Sequence, residues 1–115
     1  MTNLEIRSSL YDTEGTWETI KHEIMVDGTK VGSAYTMTDT EDDSMTYLES
    51  IDIDENFRNH GYGTQAIKEL VEKYRHIYLA PTDENNRRLY ERLGKEMESD
   101  VPEVDQGFGV YEITR

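Results

Sequence analysis

The chain has no cysteine, so disulfides, thiolate metal sites and thiol nucleophiles are excluded. No apolar run approaches the roughly 18 residues that would suggest a membrane span. Basic residues are scarce: 12 Lys and Arg stand against 25 Asp and Glu, for a formal charge of −13. That balance argues against nucleic acid as a partner, because its phosphates attract Lys and Arg. The opening Met1-Thr2-Asn3-Leu4-Glu5 has no basic stretch followed by an apolar run. No secretory leader is visible there, and a cytoplasmic protein without membrane association is expected.

What is present fits one domain over residues 1–115, with a core large enough to need no covalent staples. The acidic excess favours solubility. It also suits a cationic partner such as a polyamine, an aminosugar or a basic peptide. Within this acidic chain a short basic loop at Arg58 and His60 stands out.

The first half reads as antiparallel strands. Leu4 to Tyr11 forms a first strand, closed by a turn at Asp12-Thr13-Glu14-Gly15. From Trp17 to Val26, the apolar Ile20, Ile24 and Val26 alternate with Thr19, Lys21, Glu23 and Met25, the pattern of a strand with one wet face. Asp27-Gly28 signals a hairpin, Val31 to Thr38 returns, and Thr46 to Asp54 makes a fourth strand.

The second half changes period. Ala66, Ile67, Leu70, Val71 and Tyr74 form one apolar stripe of a helix from Gly61 to about Tyr74. His76 to Ala80 is a short strand, parallel to the fourth because a helix intervenes. Pro81-Thr82-Asp83 opens a second helix that is expected to end at Gly94, with Leu89, Tyr90 and Leu93 facing inward. A last strand runs from Phe108 to Thr114.

The most informative segment joins the fourth strand to the first helix. Arg58-x-x-Gly61-x-Gly63 sits on a loop that opens straight into the helix. Glycines let backbone N–H groups approach a phosphate, and the helix N-terminus adds unpaired donors and partial positive charge. Gly61-Tyr62-Gly63-Thr64-Gln65-Ala66 also satisfies a dinucleotide fingerprint, with Asp83 about twenty residues on. That fingerprint opens its domain directly after a first strand, however, whereas hairpins come first here.

Taken with Leu89-Tyr90-Glu91-Arg92-Leu93-Gly94 on the second helix, this segment resembles the GCN5-related N-acetyltransferases, which move an acyl group from coenzyme A to an amine. The resemblance covers roughly residues 47–94. It implies an α/β domain with a central, mostly antiparallel sheet, one splayed parallel strand pair and two main helices. It also implies acetyl-CoA as cosubstrate, with direct attack by a primary amine, of a small molecule or a peptide, in a ternary complex. The backbone of Asn59, His60, Gly61, Tyr62, Gly63 and Thr64, with the Arg58 side chain, would hold the pyrophosphate. Backbone groups at Ile51 and Ile53 would meet the pantetheine arm and the thioester. Tyr90 would protonate the departing thiolate.

Glu49 is the candidate base, since it shares parity with Ile51 and Ile53 on the strand. Relatives often carry an asparagine seven residues before the tyrosine. Asp83 stands there, so Asn85 or Asn86 would have to serve, and Asn85 is the candidate. Lys95 replaces the phenylalanine that usually follows Leu-Gly. The family usually places two helices between its first strands, where this chain has a short turn. That leaves a shallow acceptor side, makes a homodimer plausible, and keeps open a non-catalytic coenzyme A-binding or interaction module. His22, His60 and His76 lack metal-ligand spacing, and no metal is expected.

Overall fold

The computed structural model describes residues 3–74, 76–79, 84–96 and 111–114. Its strands lie in one sheet in chain order: β1 (Leu4–Glu14), β2 (Trp17–Val26), β3 (Thr29–Asp39), β4 (Asp42–Ile53), β5 (His76–Leu79) and β6 (Tyr111–Thr114). Helix α1 (Tyr62–Tyr74) connects β4 to β5, and α2 (Glu84–Glu96) follows β5. All neighbours pair antiparallel except β4 and β5, which run parallel. The mixed sheet with one parallel pair and two helices is the architecture expected from the sequence.

Two boundaries and one buried residue differ from the sequence reading. Strand β1 continues through Asp12–Glu14 instead of turning at Asp12, because a bulge at Tyr11 shifts the register between Leu10 and Asp12. The reversal to β2 is made at Gly15, whose φ of 62° only glycine adopts freely. Met25, expected on the wet face of β2, is buried beside Ile24 and Val26. The register slips between Ile24 and Met25, where β3 carries Val31 as an extra residue. Helix α2 passes Gly94 and ends at Glu96.

The core joins Ile24, Val26 and Val31 of the hairpins to Leu48 and Ile51 of β4, Ile67, Leu70 and Val71 of α1, Ile77 and Leu79 of β5, and Tyr90 and Leu93 of α2. Each large aliphatic side chain buried in this way stabilises the fold by about 1.5–3 kcal/mol relative to its exposed state. Ala66 completes the stripe of α1 seen in the sequence. Among the described residues, no helix is long and apolar enough to cross a membrane.

One polar chain runs from exposed Ser8 into the buried His22 and Thr36 of the hairpins. The Ser8 hydroxyl lies 2.7 Å from His22 Nδ1, and His22 Nε2 lies 2.7 Å from the Thr36 hydroxyl. Burial, and then the charge of Lys73, lower the His22 pKa from 6.5 to about 4. The ring is therefore neutral near pH 7, donating through one nitrogen and accepting through the other. Lys73 Nζ donates to Ser8 Oγ at 3.3 Å. Ser8 then donates to Nδ1, and Nε2–H to Thr36. This places His22 in the packing between β1, β2 and β3 and away from the candidate site.

Candidate functional site

The site lies on β4 beyond the last parallel pair with β5 among the described residues. The parallel ladder consists of Tyr47↔Tyr78 and Leu48↔Leu79 among the described residues, while residues 50–53 of β4 keep their partners on β3. Between these two stretches β4 carries one residue more than β3. Tyr35 faces Ser50, but Thr36 faces Leu48, so Glu49 is the bulged residue. The bulge overturns the parity that put Glu49 with Ile51 and Ile53. Leu48 and Ile51 are both buried, and Glu49 and Ser50 between them are both exposed.

The chain leaves β4 through a short 3₁₀ turn at Glu55–Phe57. The loop after it has positive φ at Asn59 (67°) and at Gly61 (77°). Asparagine is one of the few residues that enter this region readily, and glycine enters it without cost. Arg58 braces the turn: its Nε donates to the Ile53 carbonyl at 2.9 Å, and its terminal nitrogen lies 3.4 Å from Asp52 Oδ1. His60 donates from Nδ1 to the Arg58 carbonyl at 2.8 Å, which fixes the proton on that nitrogen, and its ring stacks on Tyr62 at 5.3 Å. The first helical hydrogen bond of α1 runs from the Gln65 N–H to the Gly61 carbonyl. The N–H groups of Tyr62, Gly63 and Thr64 precede it and lie at the positive end of the helix dipole.

A cavity of about 970 Å³ opens on this helix start. Ile53 and the loop from Phe57 to Gly61 form one wall, the first turns of α1 another, and Leu89 and Arg92 of α2 a third. Gly63 lies between the walls, where a Cβ would make ordinary contact with both Ile53 and Leu89 at 3.7 Å. The expected residues Ile53, Arg58, Asn59, Gly61, Tyr62, Gly63 and Thr64 are thus brought together, with His60 beside them.

Two cations were not anticipated. Lys68 and Arg92 join Arg58 around the cavity, giving three positive side chains at one place in a chain of net charge −13. Spacing offered a signal for both: Lys68 is one turn beyond Thr64, and Arg92 is three residues beyond Leu89. Backbone donors, a helix dipole and these cations suit an elongated, multiply charged phosphate ligand.

Tyr90 follows Leu89 on α2 but is buried in the core, with 1% of its surface exposed. Ile51 is buried on β4, where it pairs with Ala34 of β3. Asn85 lies in the first turn of α2, and its side chain, like Asp83, falls outside the described residues. Among the described residues, no group of three or more metal-ligating side chains occurs.

The acetyltransferase (GNAT) family profile matches residues 5–95. Among solved structures, a GNAT family acetyltransferase from Elizabethkingia anophelis with acetyl-CoA bound superposes with a TM-score of 0.62 at 12% identity, covering 98% of this chain and 99% of that one. The putative N-acetyltransferase YhhK from E. coli, bound to coenzyme A, gives 0.63 at 12% identity over the same shares. Diaminobutyrate acetyltransferase EctA from Paenibacillus lautus gives 0.60 at 14% identity, covering 82% of this chain and 69% of that one. No curated protein matches at the level of sequence. At these identities the structural likenesses establish the fold.

Proposed function

The chain belongs to the acetyltransferase (GNAT) family, and we propose that it transfers an acetyl group from acetyl-CoA to a primary amine by direct attack in a ternary complex. The single observation that carries this reading is the cavity at the start of α1, which combines helix N–H donors with Arg58, Lys68 and Arg92 and adjoins the splayed end of β4. In it the carrier's pyrophosphate lies on the N–H groups of the Asn59–Thr64 loop, and Asn85 is the further candidate contact to pantetheine. The pantetheine arm runs along Ile53 and Ile51 toward the bulge. Coenzyme A or acetyl-CoA in fold neighbours supports this path.

The chemistry then needs few groups. The amine nitrogen attacks the thioester carbonyl carbon, so a C–N bond forms as the C–S bond breaks. A backbone N–H of splayed β4 stabilises the transient oxyanion. Glu49, exposed on the bulge, takes the proton that the amine loses, directly or through water. Tyr90 gives its phenolic proton to the leaving thiolate. A diamino acid and a ribosomal protein are named for fold neighbours, and an amine acceptor for this chain agrees with both. Acceptor charge is taken to be positive, in keeping with the acidic chain.

Acetyl-CoA should raise the melting temperature while NAD leaves it unchanged, and free thiol should appear when a panel of primary amines is added. A melting temperature unmoved by acetyl-CoA removes the proposal. Stabilisation without thiol release by any amine turns it into a non-catalytic coenzyme A-binding module. The second outcome draws support from the direct β1–β2 hairpin, which adds no helix to the acceptor side.

A further inference from the structure

A second, aromatic groove lies at the other end of the splayed segment. Its volume is about 320 Å³, and Glu14, Trp17, Met37 and Tyr47 line it. The Trp17 and Tyr47 rings lie 6.0 Å apart at 49°, and Tyr47 stacks on Tyr78 at 5.3 Å and 30°. Trp17, Met37, Tyr47 and Tyr78 are all half-buried, so ring surface is presented to solvent. Among the described residues lining the groove, Glu14 alone is charged. Asp39 is the cross-strand partner of Trp17 and adds a second carboxylate at the rim. Adjacent aromatic faces beside carboxylates attract cations, through the ring quadrupole and through Coulomb attraction.

Position relates this groove to the chemistry. Tyr47 and Tyr78 are partners in the parallel ladder, one step before Leu48↔Leu79, the last pair among the described residues. Glu49 is two residues from Tyr47, about 7 Å along a strand. The carrier cavity lies past the other end of the splayed segment, at Ile53. The bulge therefore sits between a cavity suited to polyphosphate and a groove suited to cations.

We propose that the Trp17–Met37–Tyr47 groove holds the inner ammonium of a linear aliphatic polyamine whose terminal amine is the acetyl acceptor. The proposal rests on the acetyl-transfer reading above and names the substrate class of that site. A polyamine fits on three counts. Its methylene stretches pack on Met37 and the ring edges, its ammonium groups lie over ring faces near Glu14, and a terminal nitrogen extends toward Glu49. There it loses a proton before attacking the thioester carbon. The volume suits a small molecule, since such sites begin at about 300 Å³. An uncharged amine tail would gain only the apolar part of this contact.

Trp17 is the sole tryptophan, so its fluorescence reports the groove directly, without turnover. Spermidine should give a saturable change, weakened several-fold by added 0.3 M sodium chloride, and butylamine at equal concentration should give none. Tyr47→Leu should weaken spermidine binding at least tenfold, Tyr47→Phe should retain it because the ring remains, and Glu14→Gln should weaken it several-fold without touching the packing. No saturable change, or equal binding by Tyr47→Leu and Glu14→Gln, overturns the proposal. So does a Trp17 signal that tracks protein concentration with dimer formation, which would give the groove to a second copy. Acetyl-CoA calorimetry on the same sample tests the carrier reading separately. Heat from acetyl-CoA with silence at Trp17 rejects the groove alone. Silence from acetyl-CoA removes the transfer reading and the acceptor role with it.

Discussion

Arg58 donates from Nε to the carbonyl of Ile53 at 2.9 Å, closing the loop between the last residue of β4 and the start of α1. The guanidinium therefore shapes the strand end as well as supplying charge to the cavity. Arg58→Ala should raise the dissociation constant for acetyl-CoA about tenfold, the scale of one hydrogen bond to a charged group. Arg58→Lys should recover part of the loss, because it keeps the charge without the planar fork. Calorimetry decides the matter, and an unchanged affinity in Arg58→Ala removes the residue from the carrier site.

Tyr90→Phe tests the proton donor. The ring is buried with 1% exposure, so the substitution keeps the packing volume. Turnover should fall by about 10²-fold or more if the phenol protonates the thiolate, with acetyl-CoA affinity unchanged. Full kcat in the variant assigns Tyr90 to the core alone.

Glu49→Gln should abolish the acidic limb of the kcat/KM profile, since the carboxylate would no longer be there to accept the amine's proton. The exposed bulge position makes this substitution a small perturbation of stability. A profile identical to that of the unaltered chain transfers the role to water.

His22 predicts a pH dependence of stability. Its pKa is lowered to about 4 in the folded chain from an ordinary 6.5, so the unfolded chain takes up a proton first as pH falls. The stabilising contribution is complete above pH 6.5 and is lost as pH falls from 6.5 toward 4. Melting temperatures across that window should drop more steeply for the unaltered chain than for His22→Gln. Parallel curves contradict the assignment.

The two motif glycines should behave differently. Gly61 has a φ of 77°, so Gly61→Ala should cost about 1 kcal/mol from backbone strain alone. A Cβ at Gly63 meets only ordinary contacts at 3.7 Å, and Gly63→Ala should fold normally while narrowing the cavity. Melting curves and acetyl-CoA titrations on the pair separate conformational from steric roles.

Much of this was legible in the sequence because it is written in local patterns. The α1 stripe, the Asp27-Gly28 reversal and the Arg58-x-x-Gly-x-Gly loop each depend on neighbours in the chain. The β-bulges were not legible. Their positions at Tyr11, Val31 and Glu49 follow from pairing with other strands, which no single segment records. For the same reason the Ser8–His22–Thr36 chain was invisible, as its members come from three strands. Likewise Trp17, Tyr47 and Tyr78 come together only once β2, β3 and β4 are in register and β5 is added on the parallel side.

The extra residue in β4 amounts to a half-turn inserted into an otherwise regular ribbon. Ahead of it Tyr47 looks out over the aromatic groove; behind it Ile53 looks into the phosphate cavity. A chain shortened by Glu49 would restore uninterrupted pairing with β3, and Leu48 and Ile51, then two residues apart, would stay on the inward row. What would go is the bend and added twist that the extra residue puts between Tyr47 and Ile53.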